Sequence, residues 1–218
     1  MKKFKAVIFD MDGVLVDTEN YYSKRRTQFF DQINVSIAHL KPSDFIGGNM
    51  KDLWPRILQD QYEPTRAQSY IKQYNDFKAK TPLPYEKLLF EDAHFILEFL
   101  KKQQVKLALA SSSNRADIER CLSVNHLATY FDAVLSGADF KKSKPDPAIY
   151  EAAMATLGVL PHETLVIEDS ENGIISAKAA GATVFAISDA RFGMNQSKAD
   201  YRFTSLREIV QILKHPKN

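Results

Sequence analysis

Short apolar runs rich in β-branched residues recur along this chain, separated by stretches with helical patterning. They fall at residues 5–9, 106–110, 133–135, 164–167 and 183–187, with a weaker one at 201–203. Runs this short and this continuously apolar suit strands of a parallel sheet. The crossovers between parallel strands cover both sheet faces with helices, so both faces must be apolar. The intervening stretches fit. Ala93, Ile96, Leu97 and Leu100 share one helical face. Asp146-Pro147 reads as an N-cap followed by proline at the first helical position, with Gly158 as the stop. Ser170 and Gly181 bracket another helix in the same way. Alternation of this kind predicts an α/β fold with a doubly wound, Rossmann-like parallel sheet.

Residues 17–85 break the alternation. They hold no convincing strand, but they show helical patterns over 21–33, 52–62 and 64–78. Pro55 is expected to kink or bound the second of these. The block ends in Thr81-Pro82-Leu83-Pro84, a stiff, linker-like stretch. The expected organisation is a core domain of residues 1–16 and 86–218, interrupted by a helical cap domain of residues 17–85. A chain of 218 residues has room for both. A formal net charge of +2 gives no electrostatic reason to expect nucleic acid or membrane as partner. The basic start, with Lys2, Lys3 and Lys5, leads into an apolar run too short for a signal peptide. A lone cysteine, Cys121, cannot form an internal disulfide and is expected buried on a helix. These features lead to the expectation of a cytoplasmic protein, and nothing demands more than a monomer.

The polar residues collect where the strands end. The first run ends in Asp10-Met11-Asp12-Gly13, with Gly13 free to turn the chain away. The second ends in Ser111-Ser112-Ser113-Asn114, and the fourth in Glu168-Asp169-Ser170. Ser143-Lys144-Pro145 follows the third. Ligands of open α/β sheets bind outside the carboxyl ends of strands, so these groups are expected at one edge. Carboxylates held together repel one another unless a cation joins them. Oxygen ligands with no histidine or cysteine beside them favour a hard ion, most simply Mg²⁺. Lys144 and the groups around Ser111 would then hold phosphate oxygens. Carboxylates, a magnesium ion and phosphate-binding groups are the parts that phosphoryl transfer requires. The five histidines are scattered, and none is assigned to the site.

The order Asp-x-Asp-Gly, then Ser, then Lys, then an acidic pair resembles the haloacid dehalogenase superfamily across nearly the whole chain. The text from Val14 to Glu19 and from Glu168 to Gly173 resembles its β-phosphoglucomutase-like branch of phosphatases and phosphohexomutases. The resemblance implies that Asp10 is the nucleophile and becomes an aspartyl phosphate. It implies that Asp12 is the general acid and then the general base. It also implies that Asp10, Asp12 through its main-chain carbonyl, and Asp169 hold Mg²⁺, with Glu168 at or beside the ion. Ser111, Ser112 and Lys144 are expected to bind the transferring phosphoryl group, and Asn114 is a weaker candidate. Dehalogenases of this superfamily lack the second aspartate, because halide needs no proton on leaving. Asp12 therefore favours phosphoester chemistry.

Specificity is expected from the cap, with Thr18, Tyr22, Gly48, Asn49 and Lys51 as candidates for touching a small phosphorylated metabolite such as a sugar phosphate. Trp54 is expected in the cap core, and Arg25 and Arg26 on a solvated helix face. Relative to β-phosphoglucomutases, Tyr22 stands where a histidine is expected and Met50 where a loop arginine is expected. Gln73 stands, on a looser correspondence, where a cap lysine is expected. Those replacements favour hydrolysis over isomerisation, with β-phosphoglucomutase activity as the alternative. A receiver domain clusters similar groups but has no helical cap. A catalytically dead relative would have lost one of Asp10, Asp12, Lys144 or Asp169.

Overall fold

In the computed structural model, residues 4–46 and 50–215 are described, with the side chain of Lys51 excluded. Gly47, Gly48, Asn49 and that side chain lie outside the described residues. The chain runs β1 (Ala6–Phe9), α1 (Glu19–Gln32), α2 (Met50–Leu58), α3 (Pro64–Lys80) and α4 (Ala93–Lys102). It continues β2 (Lys106–Ser111), α5 (Arg115–Val124), β3 (Ala133–Ser136), α6 (Ala148–Leu157) and β4 (Thr164–Glu168). It ends α7 (Glu171–Ala179), β5 (Thr183–Ile187), β6 (Tyr201–Phe203) and α8 (Leu206–Lys214).

Every strand pairing is parallel, in the order β3-β2-β1-β4-β5-β6. This is the doubly wound arrangement, and its strand order reverses between β1 and β4. Alternation along the strands sorts the core into two layers. Val7, Phe9, Leu107, Leu109, Leu165 and Ile167 pack with α4, α5 and α8 on one face. Ala6, Ile8, Ala108, Ala110 and Val166 pack with α6 and α7 on the other. The stripe Ala93, Ile96, Leu97 and Leu100 is fully buried, as its spacing predicts. Burying each such Leu or Ile is worth about 1.5–3 kcal/mol, enough to seat α4 without strong helix propensity. Cys121 lies buried on α5, its thiol pushed up to about 12 by burial.

Helix boundaries follow local chemistry, with one shift. The Ser170 hydroxyl accepts from the Gly173 amide and caps α7 as expected. Helix α6 begins one residue later than the Asp-Pro pattern suggests. Pro147 is its cap residue, and Asp146 instead accepts from the Ala148 amide. Pro55 sits inside α2, which runs on through it and ends at Leu58.

No strand occurs among the described residues between 17 and 85. Helices α1–α3 gather around a third apolar cluster containing Phe29, Phe30, Trp54 and Tyr74. Trp54 stacks on Tyr70 and packs against Phe30, which makes it a core residue of the helical insert. No helix among the described residues is long and apolar enough to cross a membrane.

Candidate active site

The topological switch point collects the acidic residues. Asp10 follows β1 directly, and its amide continues the ladder to the Ile167 carbonyl of β4 (2.9 Å). The adjacent strands β1 and β4 therefore deliver Asp10, Glu168 and Asp169 to one spot. Each offers a carboxylate oxygen within 4.8 Å of the others, and all three are buried. At Gly13 the backbone takes φ +76°, and a Cβ there would overlap the Asp169 carboxylate. A Cβ at Gly173 would likewise overlap Glu168. Glycine at both places lets the backbone close around the acids.

Lys144, 5% exposed, reaches in from the loop before α6. Its ammonium lies 2.7 Å from both Asp10 Oδ1 and Glu168 Oε1, and it donates to the Ala110 carbonyl (3.0 Å). Glu168 is saturated with donors. Oε1 also accepts from the Tyr150 hydroxyl (2.8 Å), and Oε2 accepts from the Asp169 and Ser170 amides and the Ser170 hydroxyl. Glu168 is held below the usual carboxylate range: burial opposes ionisation, but Lys144 and these donors outweigh it. Asp169 receives no comparable support. Burial, then the Glu168 and Asp10 charges, push its carboxyl well above its ordinary value. Asp10 is also raised, chiefly by burial, with Lys144 pulling the other way. Three buried carboxylates thus face one ammonium, and the shortfall of positive charge fits a cation among oxygen ligands.

Removing the lysine should expose that shortfall. In metal-free buffer, Lys144→Met is expected to cost about 3–5 kcal/mol of unfolding free energy, because it strands buried charges. Urea unfolding reads this directly. An unchanged midpoint would mean the acids are neutral in the folded protein.

Asp12 lines the same space beside Asp10. Thr18 Oγ1 donates to Oδ1 (2.7 Å), and Ser113 Oγ donates to Oδ2 (2.8 Å). The Tyr22 hydroxyl also lies beside it. Burial raises the Asp12 carboxyl, and these hydroxyls partly offset that rise. Thr18 is fully buried, so the hydroxyl expected at substrate instead holds Asp12. Ser113, one step past the serines singled out in the sequence, has the same role. Ser111 is fully buried, and its hydroxyl accepts from the Ser113 amide. Asn114 caps α5 through the Asp117 amide.

Asp10, Asp12 and Asp169 open onto a cavity of about 780 Å³, whose far wall comes from the helical insert. Tyr22 and Met50 line it, as does Ser112. Gln73 does not. It is exposed and donates to the Ser69 hydroxyl, while Lys78, farther along the same helix, reaches the wall. Arg25 and Arg26 are not on a solvated face. Both are buried, and both line the cavity. A signal for this exists in the sequence: Glu19, Tyr22, Arg26, Phe29 and Phe30 recur at helical spacing on one stripe of α1. Polar residues in register with buried phenylalanines mark a wall that faces inward.

A doubly wound sheet with an aspartate directly after its first strand, a second aspartate two residues on and a lysine-braced acidic pair defines a phosphoryl-transfer class of enzyme. The chain belongs to the haloacid dehalogenase-like hydrolases, whose family pattern matches residues 7–187. It is 31% identical over 179 residues to a phosphorylated carbohydrates phosphatase of Thermotoga maritima, covering 81% of this chain and 82% of that one. It is 28% identical over 219 residues to hexitol phosphatase B of Escherichia coli, covering 96% of each. Its fold matches a crystal structure of β-phosphoglucomutase from Clostridium difficile with TM-score 0.80 over 95% of this chain and 96% of that one, at 21% identity.

Proposed function

We propose that this chain is a magnesium-dependent phosphatase that hydrolyses small sugar-phosphate-type monoesters through an aspartyl phosphate on Asp10, with residues 17–85 acting as its cap. The observation that carries this reading is the buried Asp10–Lys144–Glu168 cluster, with Asp12 beside Asp10 on the same side of the cavity.

An Asp10 carboxylate oxygen attacks phosphorus, and the ester P–O bond breaks. Asp12, entering as the neutral acid, gives its proton to the leaving alkoxide. In the second half, Asp12 takes a proton from water, whose oxygen bonds to phosphorus as the bond between phosphorus and Asp10 breaks. The sum is monoester plus water giving alcohol plus inorganic phosphate. Lys144 holds Asp10 in line and meets the phosphoryl charge, with Ser111 and Ser112 taking the remaining oxygens. Mg²⁺ held by Asp10, Asp169 and the Asp12 carbonyl would neutralise phosphoryl charge. The donors already engaged on Glu168 suit it to stand beside the ion and anchor Lys144.

Hydrolysis is favoured over isomerisation by the kinship to phosphatases and by Tyr22 in the place of a histidine. The Met50 and Gln73 replacements do not support this preference, because Arg25, Arg26 and Lys78 supply cations on the wall. Phosphate release from a panel of sugar and polyol phosphates, with Mg²⁺ and then with excess chelator, tests the proposal. Release is expected with the metal and none after chelation. Full activity in chelator would remove the metal from the reading. Rapid isomerisation of β-glucose 1-phosphate primed with its 1,6-bisphosphate, with little free phosphate, would replace hydrolase by mutase.

A further inference from the structure

The cavity wall opposite the acids carries three cations of the insert, Arg25 and Arg26 on α1 and Lys78 on α3. Arg25 is tied down from behind. Its Nη1 donates to the Thr81 carbonyl (3.3 Å), and its guanidinium lies 5.1 Å from the Tyr22 ring centre. Its Nε is buried without a partner. Arg26, 7% exposed, lies 4.7 Å from the Phe45 ring centre and has no hydrogen bond or ion pair among the described residues. The Lys78 ammonium rests 5.4 Å from the Tyr74 ring centre, and it too has no such partner among them.

The cations also disfavour one another. Burial lowers both Arg26 and Lys78, and Arg25 adds to the lowering of each. Asp117 on α5, itself paired with Arg120 (3.7 Å), is the counter-charge facing Lys78, and Glu19 is the one facing Arg26. Burial, however, pushes the Glu19 carboxyl up to about 7, and one of its oxygens has no partner. It offsets the wall only in part near neutral pH.

We infer that this wall receives a second anionic group, a carboxylate or a second phosphate, at the end of the substrate remote from the transferred phosphoryl group, with Arg26 as its principal contact. The inference rests on the phosphatase reading above. A buried cation is costly unless an anion joins it, and a guanidinium presents a planar fork that matches carboxylate and phosphate in two-point contact. A neutral polyol end offers only dipoles and leaves the wall's charge standing. The charge is supplied from α1 and α3, although Met50 occupies the loop position where an arginine was expected.

The test uses the full-length, Mg²⁺-loaded protein and three size-matched monoesters ending in a hydroxyl, a carboxylate or a second phosphate. p-Nitrophenyl phosphate, which has no remote polar group, is the reference. The unmodified protein should favour the anionic esters over the polyol ester by about 10- to 100-fold in kcat/KM, the worth of one charged hydrogen-bonded contact. Which anionic ester leads identifies the group. Arg26→Gln should erase most of that preference through KM, and Arg26→Lys should restore part of it, which a merely structural role would not do. Equal or better use of the polyol ester by the unmodified protein overturns the inference without any variant. So does an Arg26→Gln loss that is the same for all esters and the reference. Hydrolysis of p-nitrophenyl phosphate without anionic preference sinks this inference alone, whereas no hydrolysis of any ester sinks the phosphatase reading with it.

Discussion

Asp10→Asn is expected to end turnover while leaving the protein folded. The amide keeps the carboxylate's shape but has no anionic oxygen with which to attack phosphorus, so kcat should fall on the order of 10³-fold or more. The surroundings make this substitution cheap for the fold. Asp10 shares its pocket with Glu168 and Asp169, and among the described residues Lys144 alone is ion-paired with these acids. Removing one charge relieves repulsion that burial magnifies, so metal-free stability should hold or rise. Steady-state kinetics and thermal unfolding on one preparation separate the two effects. Acid quench of the unmodified enzyme during turnover should trap phosphate on Asp10. Near-normal activity in the variant would move the nucleophile elsewhere.

Asp12→Asn is expected to cost about 10²–10⁴-fold, with the loss graded by leaving group. Burial raises the Asp12 carboxyl above its ordinary value, the direction that suits a general acid. Thr18 and Ser113 fix both of its oxygens, and as hydroxyls they can accept as well as donate, so an asparagine can occupy the same place. What disappears is the transferable proton. Aryl phosphates, whose leaving groups need little protonation, should suffer least and alkyl phosphates most. Equal losses on both would argue that Asp12 acts by position or charge and not by proton transfer.

The core was legible because its signals are local. Each strand is a short apolar run, and burial on both faces pointed to a parallel sheet covered by helices, which the structure shows. The acids at strand ends could be assigned to one edge from sequence because a parallel sheet places all carboxyl ends together. The Ser170 cap and the Gly158 stop, at φ +63°, are contained within a few residues and were readable for the same reason. Where two local rules competed, as at Asp146-Pro147, the boundary slipped by one residue.

The sequence by itself determined the doubly wound sheet, the helical character of residues 17–85 and the meeting of Asp10, Lys144, Glu168 and Asp169. Only the tertiary structure decided that the polar stripe of the insert closes over the acids. Arg25 and Arg26 lie on a helix whose exposed and buried stripes are both rich in polar groups, so composition pointed outward while packing turned them inward. It also decided that Thr18 and Ser113 serve Asp12, that Tyr150 helps hold Glu168, and that Arg191 grips Asp17, 174 positions away, at 2.8 and 2.9 Å. The physical reason is range. A strand, a cap or a turn is chosen by neighbours in the chain. The environment of a charged side chain is set by which distant surface closes over it, and no run of a few residues encodes that.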